Sequence, residues 1–375
     1  MRDLPPSWCL ASILSISTQF AADFQEGKPP LWMPLQQSQP LNEDGDVYFR
    51  DPNSAKFPNY PTEPAVRALF DTDPAFPTGE VDVFACGSTM GNLLRFALSV
   101  DKPFRFSVEL VGSTVFLVRK EDDPRETIEG VHGFGNTFPE AYTTWEKEVE
   151  GSETHQRMCR YDLGRFNCVI RFECDGYLPT GSEKIASSTV ETKSSNIDDL
   201  LNNLKNVIVG QGTTYDVNLL SLKQGGTVIP QHNIFDLKTR SARSRKFIDM
   251  DEIYPQLWIK QIPNFIVAYH DGAGTFPTSD IHVQNVSYNI QAWERQNQAG
   301  IQRLLVLLDK IVDLARQDGA GLLEVHCPSV DRLEVRRQYG QGVHALPSEL
   351  RAKWKALKEA QLVQTTSMTT RIKVG

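Results

Sequence analysis

Two short strings carry residue types that do chemistry together. Arg171-Phe172-Glu173-Cys174-Asp175 closes an apolar run with carboxylates two residues apart, and Phe235-Asp236-Leu237-Lys238 closes another with a carboxylate and an amine at the same spacing. In an extended chain, side chains i and i+2 point to one face. Glu173 and Asp175 therefore project together with Phe172 and Cys174 behind them, and Asp236 projects with Lys238, backed by Phe235 and Leu237. If the two stretches are neighbours, three carboxylates and one ammonium meet on one patch. Carboxylates packed this closely repel unless a hard divalent cation sits among them, which suits Mg²⁺ or Mn²⁺. Lysine beside such an ion orients or helps deprotonate a water and steadies charge on a phosphate. Each string taken alone has a plainer reading, a surface ion-pair ladder.

The surroundings strengthen the chemical reading. Lys238, Arg240, Arg243, Arg245 and Lys246 place five cations within nine residues, starting on the second string. The whole chain has a formal net charge of −8. A basic segment beside a carboxylate patch in an acidic protein is where a polyanion would be drawn in, a solvated loop being the alternative. Phe247, Tyr254 and Trp258 lie close enough in sequence to stack on bases, although core packing is the commoner use of aromatics at this spacing.

The elements that must position these residues are legible in outline. Val81–Cys86 reads as a strand, Thr89–Leu98 as a short helix, and Phe104–Leu110 with Thr114–Arg119 as a hairpin turning at Gly112-Ser113. Thr143–Val149 reads as helix. Arg157–Tyr161 and Asn167–Glu173 read as paired strands joined at Asp162-Leu163-Gly164. Val217–Leu222 and Thr227–Lys238 return to strand character, and Phe265–Tyr269 is an apolar strand. Ile301, Leu304, Leu305, Leu308, Ile311, Val312 and Ala315 repeat at three and four, which predicts a helix over about Gln291–Gln317 stopped by Gly319. Residues 26–80 are rich in Pro and Gly and read as a wrapping segment with one short helix near Glu63–Phe70. Trp8–Phe20 is expected to be a packed helix rather than a signal segment.

Several of these segments resemble the decapping exoribonuclease (DXO-like) family of RNA 5′-end quality-control enzymes, built on a PD-(D/E)XK core. Val83-Phe-Ala-Cys-Gly-Ser-Thr-Met-Gly-Asn-Leu-Leu94 is similar to its early strand-turn-helix, and Phe104 to Phe116 to its following hairpin. Arg157 to Asp175 resembles the strand pair that ends in its E-x-D motif. Asp236-Leu-Lys-Thr239 looks like its (E/D)-x-K-T motif, and Tyr254 to Gly272 like its glutamine-bearing helix and next strand. The resemblance spans about residues 80–345 and rests on the order of the motifs. It implies Glu173, Asp175 and Asp236 as ligands of Mg²⁺ or Mn²⁺, with the Leu237 carbonyl oxygen beside them and Lys238 acting on water or phosphate. It implies Gln256 as the glutamine near the metal, with Gln261 in reserve. The family's upstream glutamate falls on Glu140, within Gly135-Asn-Thr-Phe-Pro-Glu140, with Glu146 in reserve. Arg240, Arg243, Arg245 and Lys246 would bind substrate.

Two departures matter. The early turn, Cys86-Gly87-Ser88, has no arginine where the family places one to hold phosphates. About 60 residues separate Asp175 from Asp236, far more than the family's short connection. Weakened or absent catalysis would leave an RNA-end or exoribonuclease-binding module, the first rival to a hydrolase of RNA 5′ ends. A PD-(D/E)XK DNA nuclease is the second.

Other chemistries are excluded or disfavoured. The six cysteines include no C-x-x-C pair, which speaks against structural zinc and for reduced thiols in an intracellular compartment, nucleus or cytoplasm. There is no G-x-S-x-G elbow, and no histidine pair with metal-ligand spacing. Gly210-Gln-Gly212 and Gly130 to Gly135 do not join a strand to a helix, so a dinucleotide site is not expected. His270 reads as a turn histidine. Apolar runs are too short to span a bilayer, so no membrane partner is expected. With 375 residues the chain can bury a core without staples. The expected fold class is α+β, with mixed and antiparallel sheets flanked by helices around a PD-(D/E)XK nuclease-like core. The expected layout is a wrapping segment 1–80, one domain 81–350 with an insertion at about 179–226, and a tail 351–375.

Overall fold

Alternation of apolar residues builds two sheets that share one strand-to-strand junction. In Phe166–Cys174 the residues Phe166, Cys168, Ile170, Phe172 and Cys174 enter the main core, while Val169 enters a second cluster on the other face. The computed structural model describes residues 12–19, 23–26, 30–34, 39–45, 47–150, 152–179, 221–224, 228–243, 248–319 and 321–357. Among them the larger sheet has ten strands, in the spatial order Ser221–Gln224, Asp23–Glu26, Ser12–Gln19, Ser152–Leu163, Phe166–Cys174, Val83–Cys86, Thr114–Arg119, Phe104–Val111, Leu323–Ser329 and Arg332–Arg337. It is mixed: Phe166–Cys174 runs antiparallel to Ser152–Leu163 and parallel to Val83–Cys86.

The smaller sheet has the order Ile281–Asn285, Asn264–His270, Ile234–Ser241, Gly176–Tyr177, Leu31–Trp32 and Thr143–Thr144. Ile234–Ser241 pairs in parallel with Asn264–His270, putting Asp236 opposite Phe265 and Lys238 opposite Val267. Its alternation is clear. Phe235 and Leu237 enter a cluster with Trp32, Phe138 and Phe276, while Ile234 joins the main core on the opposite face, the face of Asp236 and Lys238.

The helices Gly87–Ala97, Met250–Lys260, Ser287–Gln296 and Gln298–Asp318 cover the main core. The second cluster is closed by Glu63–Thr72 and by Trp354 from a helix described over 348–357. This is the expected α+β fold, with sheets flanked by helices.

Four expectations are corrected. Ser12–Gln19 is a strand paired antiparallel to Ser152–Leu163 rather than a helix, because that strand's edge offers a full ladder of partners. The helix expected at Thr143–Val149 lies upstream at Thr137–Tyr142, and Thr143-Thr144 pairs with Leu31-Trp32. The strand expected from Thr227 begins at Ile234, after Pro230 and a short 3₁₀ turn at Gln231–Asn233. The long helix divides at Asn297, whose backbone leaves the helical region (φ −106°, ψ 19°) while its N–H and its side-chain amide both donate to the Trp293 carbonyl at 2.9 Å. Most of the expected insertion and the end of the tail lie outside the described residues.

Candidate functional site

The junction between the sheets makes the site. Cys174 ends a strand of the large sheet, Gly176 begins one of the small sheet, and Asp175 stands between them. A Cβ at Gly176 would lie 2.5 Å from the Phe235 ring and 2.6 Å from the Pro30 carbonyl oxygen, so only glycine lets the chain cross here. The crossing brings the Asp175 carboxylate against the Ile234–Ser241 strand, where it accepts a hydrogen bond from the Leu237 N–H at 2.6 Å.

Asp175 and Asp236 stand close enough for their carboxyls to act on each other. Burial pushes the Asp175 carboxyl well up, and the neighbouring Asp236 charge pushes it further, against the pull of Lys260 and Lys238. Burial also opposes charge on Asp236, but Lys260, the bond from Asp175 and Lys238 together hold it below the usual carboxylate range. Each carboxylate makes the other costlier to ionise, and the lysines side with Asp236.

Glu173 is exposed and lines a cleft. Desolvation there raises its carboxyl, with Lys260 and Arg171 pulling down and Asp236 and Asp51 adding to the rise.

The fourth member was not read from the sequence. The Lys260 Nζ lies 3.2 Å from Asp236 Oδ2, with side-chain exposures of 20% and 6% respectively. Burial pulls the Lys260 ammonium down, but Asp236, Asp175 and Glu173 outweigh it and leave it above its ordinary value. Its signal in the sequence was its place at the end of the glutamine-bearing helix, three residues before Pro263.

As they stand, these residues do not fit a divalent cation. Among the described residues no group of three or more His, Cys, Asp or Glu side chains is arranged to hold a metal ion. Asp236 instead holds the Lys260 ammonium at 3.2 Å. The Leu237 group that meets Asp175 is its N–H, and Leu237 is otherwise buried in the Trp32 cluster.

The other predicted residues divide. Lys238 is exposed and lies close enough to act on both Asp175 and Asp236. Gln256 lines the cleft, whereas Gln261 is buried in a left-handed cap (φ 55°) and donates to the Trp258 carbonyl at 2.6 Å. Glu140 is exposed on the Thr137–Tyr142 helix, whose Phe138 and Tyr142 pack on the Phe235 and Leu237 face, opposite Asp236. The structure therefore does not bring Glu140 to the other acids. Glu146 precedes the 3₁₀ turn Lys147–Val149 and is not among the cleft residues. Arg240 is exposed, and Arg243 packs on the Gly272 turn; neither lines the cleft. Arg245 and Lys246 lie outside the described residues.

The cleft has a volume of about 560 Å³ and is lined by nine lysines and arginines against three acids, Asp51, Glu121 and Glu173. Its cations come from Arg50, Lys56, Arg95, Lys102, Arg105, Arg119, Lys120, Arg171 and Lys260. Several are engaged at the rim: Arg50 with Glu126, Arg119 with Glu121, and Lys120 with Glu324. Others press on one another. The Lys102 ammonium is pushed below its ordinary value by Arg95, then by burial and by Arg119. The buried Arg95 Nε has no hydrogen-bond partner. Scattered over more than two hundred residues of sequence, these cations form no run that a linear reading could find. The Cys86-Gly87-Ser88 turn that lacks an arginine faces the same cleft, and Arg171 and Arg119 stand near it.

Comparison with solved structures places the fold. The chain superposes on Schizosaccharomyces pombe Rai1 with a TM-score of 0.56 at 11% identity, covering 90% of this chain and 97% of that one. Scheffersomyces stipitis Rai1, in complex with (3′-NADP)⁺ and calcium ion, gives 0.57 at 11% identity over 94% and 96%. Candida albicans Rai1, in complex with pU5-Mn²⁺, gives 0.55 at 10% identity over 95% and 99%. At these identities the likeness is one of fold. No curated protein matches the chain in sequence. Among the described residues no helix is long and apolar enough to cross a membrane. The sequence pattern of one family matches residues 11–352, and the chain belongs to that family, described as a domain of unknown function (DUF8563).

Proposed function

We propose that the protein holds the 5′ end of a single RNA strand in the basic cleft, with the terminal phosphate directed toward Lys260 and Glu173. One observation carries this reading: nine cations line a cleft in a chain of net charge −8, and Glu173 and Lys260 of the acid–lysine cluster are among its lining residues. Cations that repel one another, as Arg95 and Lys102 do, are relieved by a phosphate between them. Phe57 and Phe104, both partly exposed on the walls, offer faces for bases. The positive end of the Gly87–Ala97 helix opens on the same space. An RNA 5′ end as ligand is supported by the resemblance to decapping exoribonucleases and by the pU5 complex of Candida albicans Rai1. Anisotropy of a 3′-labelled, 5′-phosphorylated RNA tests it. Binding should survive EDTA, weaken for a 5′-hydroxyl strand, and weaken strongly for Arg95→Glu. Equal affinity for duplex DNA, or indifference to Arg95→Glu, would refute it.

A second reading, metal-dependent hydrolysis at the RNA 5′ end by decapping, pyrophosphate removal or 5′→3′ trimming, is favoured by the meeting of Asp175, Asp236 and Lys238 across two strands. The manganese and calcium ions of the Rai1 structures support it. Its test is product formation from 5′-phosphorylated RNA with Mn²⁺ or Mg²⁺, which Asp236→Asn must abolish. A 5′→3′ exoribonuclease is the candidate protein partner, tested by co-purification.

A further inference from the structure

The acid cluster already contains a cation, and that cation is built into the fold. Lys260 is the last residue of its helix, and its backbone is fixed on both sides. The Gln231 side-chain amide donates to the Lys260 carbonyl at 3.1 Å and to the Gln261 carbonyl at 2.9 Å. The Tyr161 hydroxyl donates to the Ile259 carbonyl at 2.8 Å. The stem runs past Gly87, where a Cβ would lie 3.6 Å from Lys260 Cγ and 3.2 Å from Phe172 Cβ. The ammonium then reaches Asp236 at 3.2 Å. This is a held side chain, unlike a surface lysine free to swing away.

We propose that the Lys260 ammonium is the resident cation of the Glu173–Asp175–Asp236 cluster, occupying the place a divalent metal would take, so that the native site binds no manganese or magnesium. The place is already filled by geometry: the ammonium sits 3.2 Å from Asp236, whose side chain is 6% exposed. A doubly charged ion entering there meets the ammonium at close range. It must also displace the Leu237 N–H from Asp175. The inference rests on the acid cluster and not on the RNA reading.

The test is Mn²⁺ binding to the full chain, read by electron paramagnetic resonance and titration calorimetry. Wild type should leave the manganese signal free. Lys260→Met keeps the stem and removes the charge, and should bind Mn²⁺ at least about tenfold more tightly. Adding Asp236→Asn to Lys260→Met should cancel that gain, which locates it at the cluster, and Lys260→Arg should still exclude the ion. The proposal is overturned if wild type binds Mn²⁺ and Asp236→Asn abolishes it. It is equally overturned if Lys260→Met and Lys260→Gln, both folded by circular dichroism, gain nothing. The wild-type measurement decides even if a variant fails to fold. RNA binding in EDTA is a separate readout, so a manganese-binding wild type would leave the cleft reading standing.

Discussion

Asp175 Oδ2 accepts a hydrogen bond from the Leu237 N–H at 2.6 Å, across 62 positions of sequence. That one bond ties the end of a large-sheet strand to the middle of a small-sheet strand. It exists because the chain passes from one sheet to the other at the next residue.

Gly176→Ala should therefore loosen the junction. The added methyl meets the Phe235 ring and the Pro30 carbonyl oxygen at 2.5–2.6 Å, and overpacking of this kind costs about 1–3 kcal/mol. Urea unfolding should show a lowered midpoint with an unchanged slope.

Asp236 and Lys260 should prove non-additive. Asp236→Asn leaves a largely buried ammonium without its carboxylate and should destabilise by about 3 kcal/mol. Lys260→Met in the same chain should recover much of that loss. A double-mutant cycle of unfolding free energies measures the coupling, and additive losses would show the pair to be independent.

His155 sets a pH dependence. Burial lowers its imidazole well below the ordinary 6.5, and the adjacent Arg157 charge lowers it further. The unfolded chain then takes up a proton that the fold refuses. Its contribution is fully present above pH 6.5 and falls with decreasing pH, toward about 1.4 kcal/mol per unit. The difference between wild type and His155→Gln, followed from pH 7.5 down to about 5.5, should show wild type losing stability faster.

Arg95 and Lys102 should carry the salt dependence of RNA binding. Each charge removed should weaken affinity across sequences and reduce the slope of log K against log salt by about one. Arg240→Ala, on an exposed residue outside the cleft, should leave both nearly unchanged.

Trp354 should be indispensable to the fold. It is 1% exposed, packs against Phe70, Phe76, Phe84 and Phe116, and donates from Nε1 to Thr114 Oγ1 at 3.0 Å. Trp354→Ala should cost about 3–5 kcal/mol, and a chain ended at residue 350 should unfold in the same range of denaturant.

The amino-acid sequence by itself determined the residue types of the acid cluster, the strands that carry them and their facing. Period-two alternation is local, so Glu173 with Asp175, and Asp236 with Lys238, could be read from a few neighbours. The family resemblance put Gln256 ahead of Gln261, and of the two Gln256 lines the cleft. The tertiary structure decided what those acids meet. Lys260 enters through a helix end pinned by Gln231, a contact 29 positions away that no spacing encodes. Glu140 leaves because its helix packs on the opposite face of the small sheet. The basic cleft belongs to cations gathered from distant segments, while the linear run that includes Arg240 and Arg243 points elsewhere. The physical reason is the same in each case: charge acts through space, and only the folded chain sets the distances.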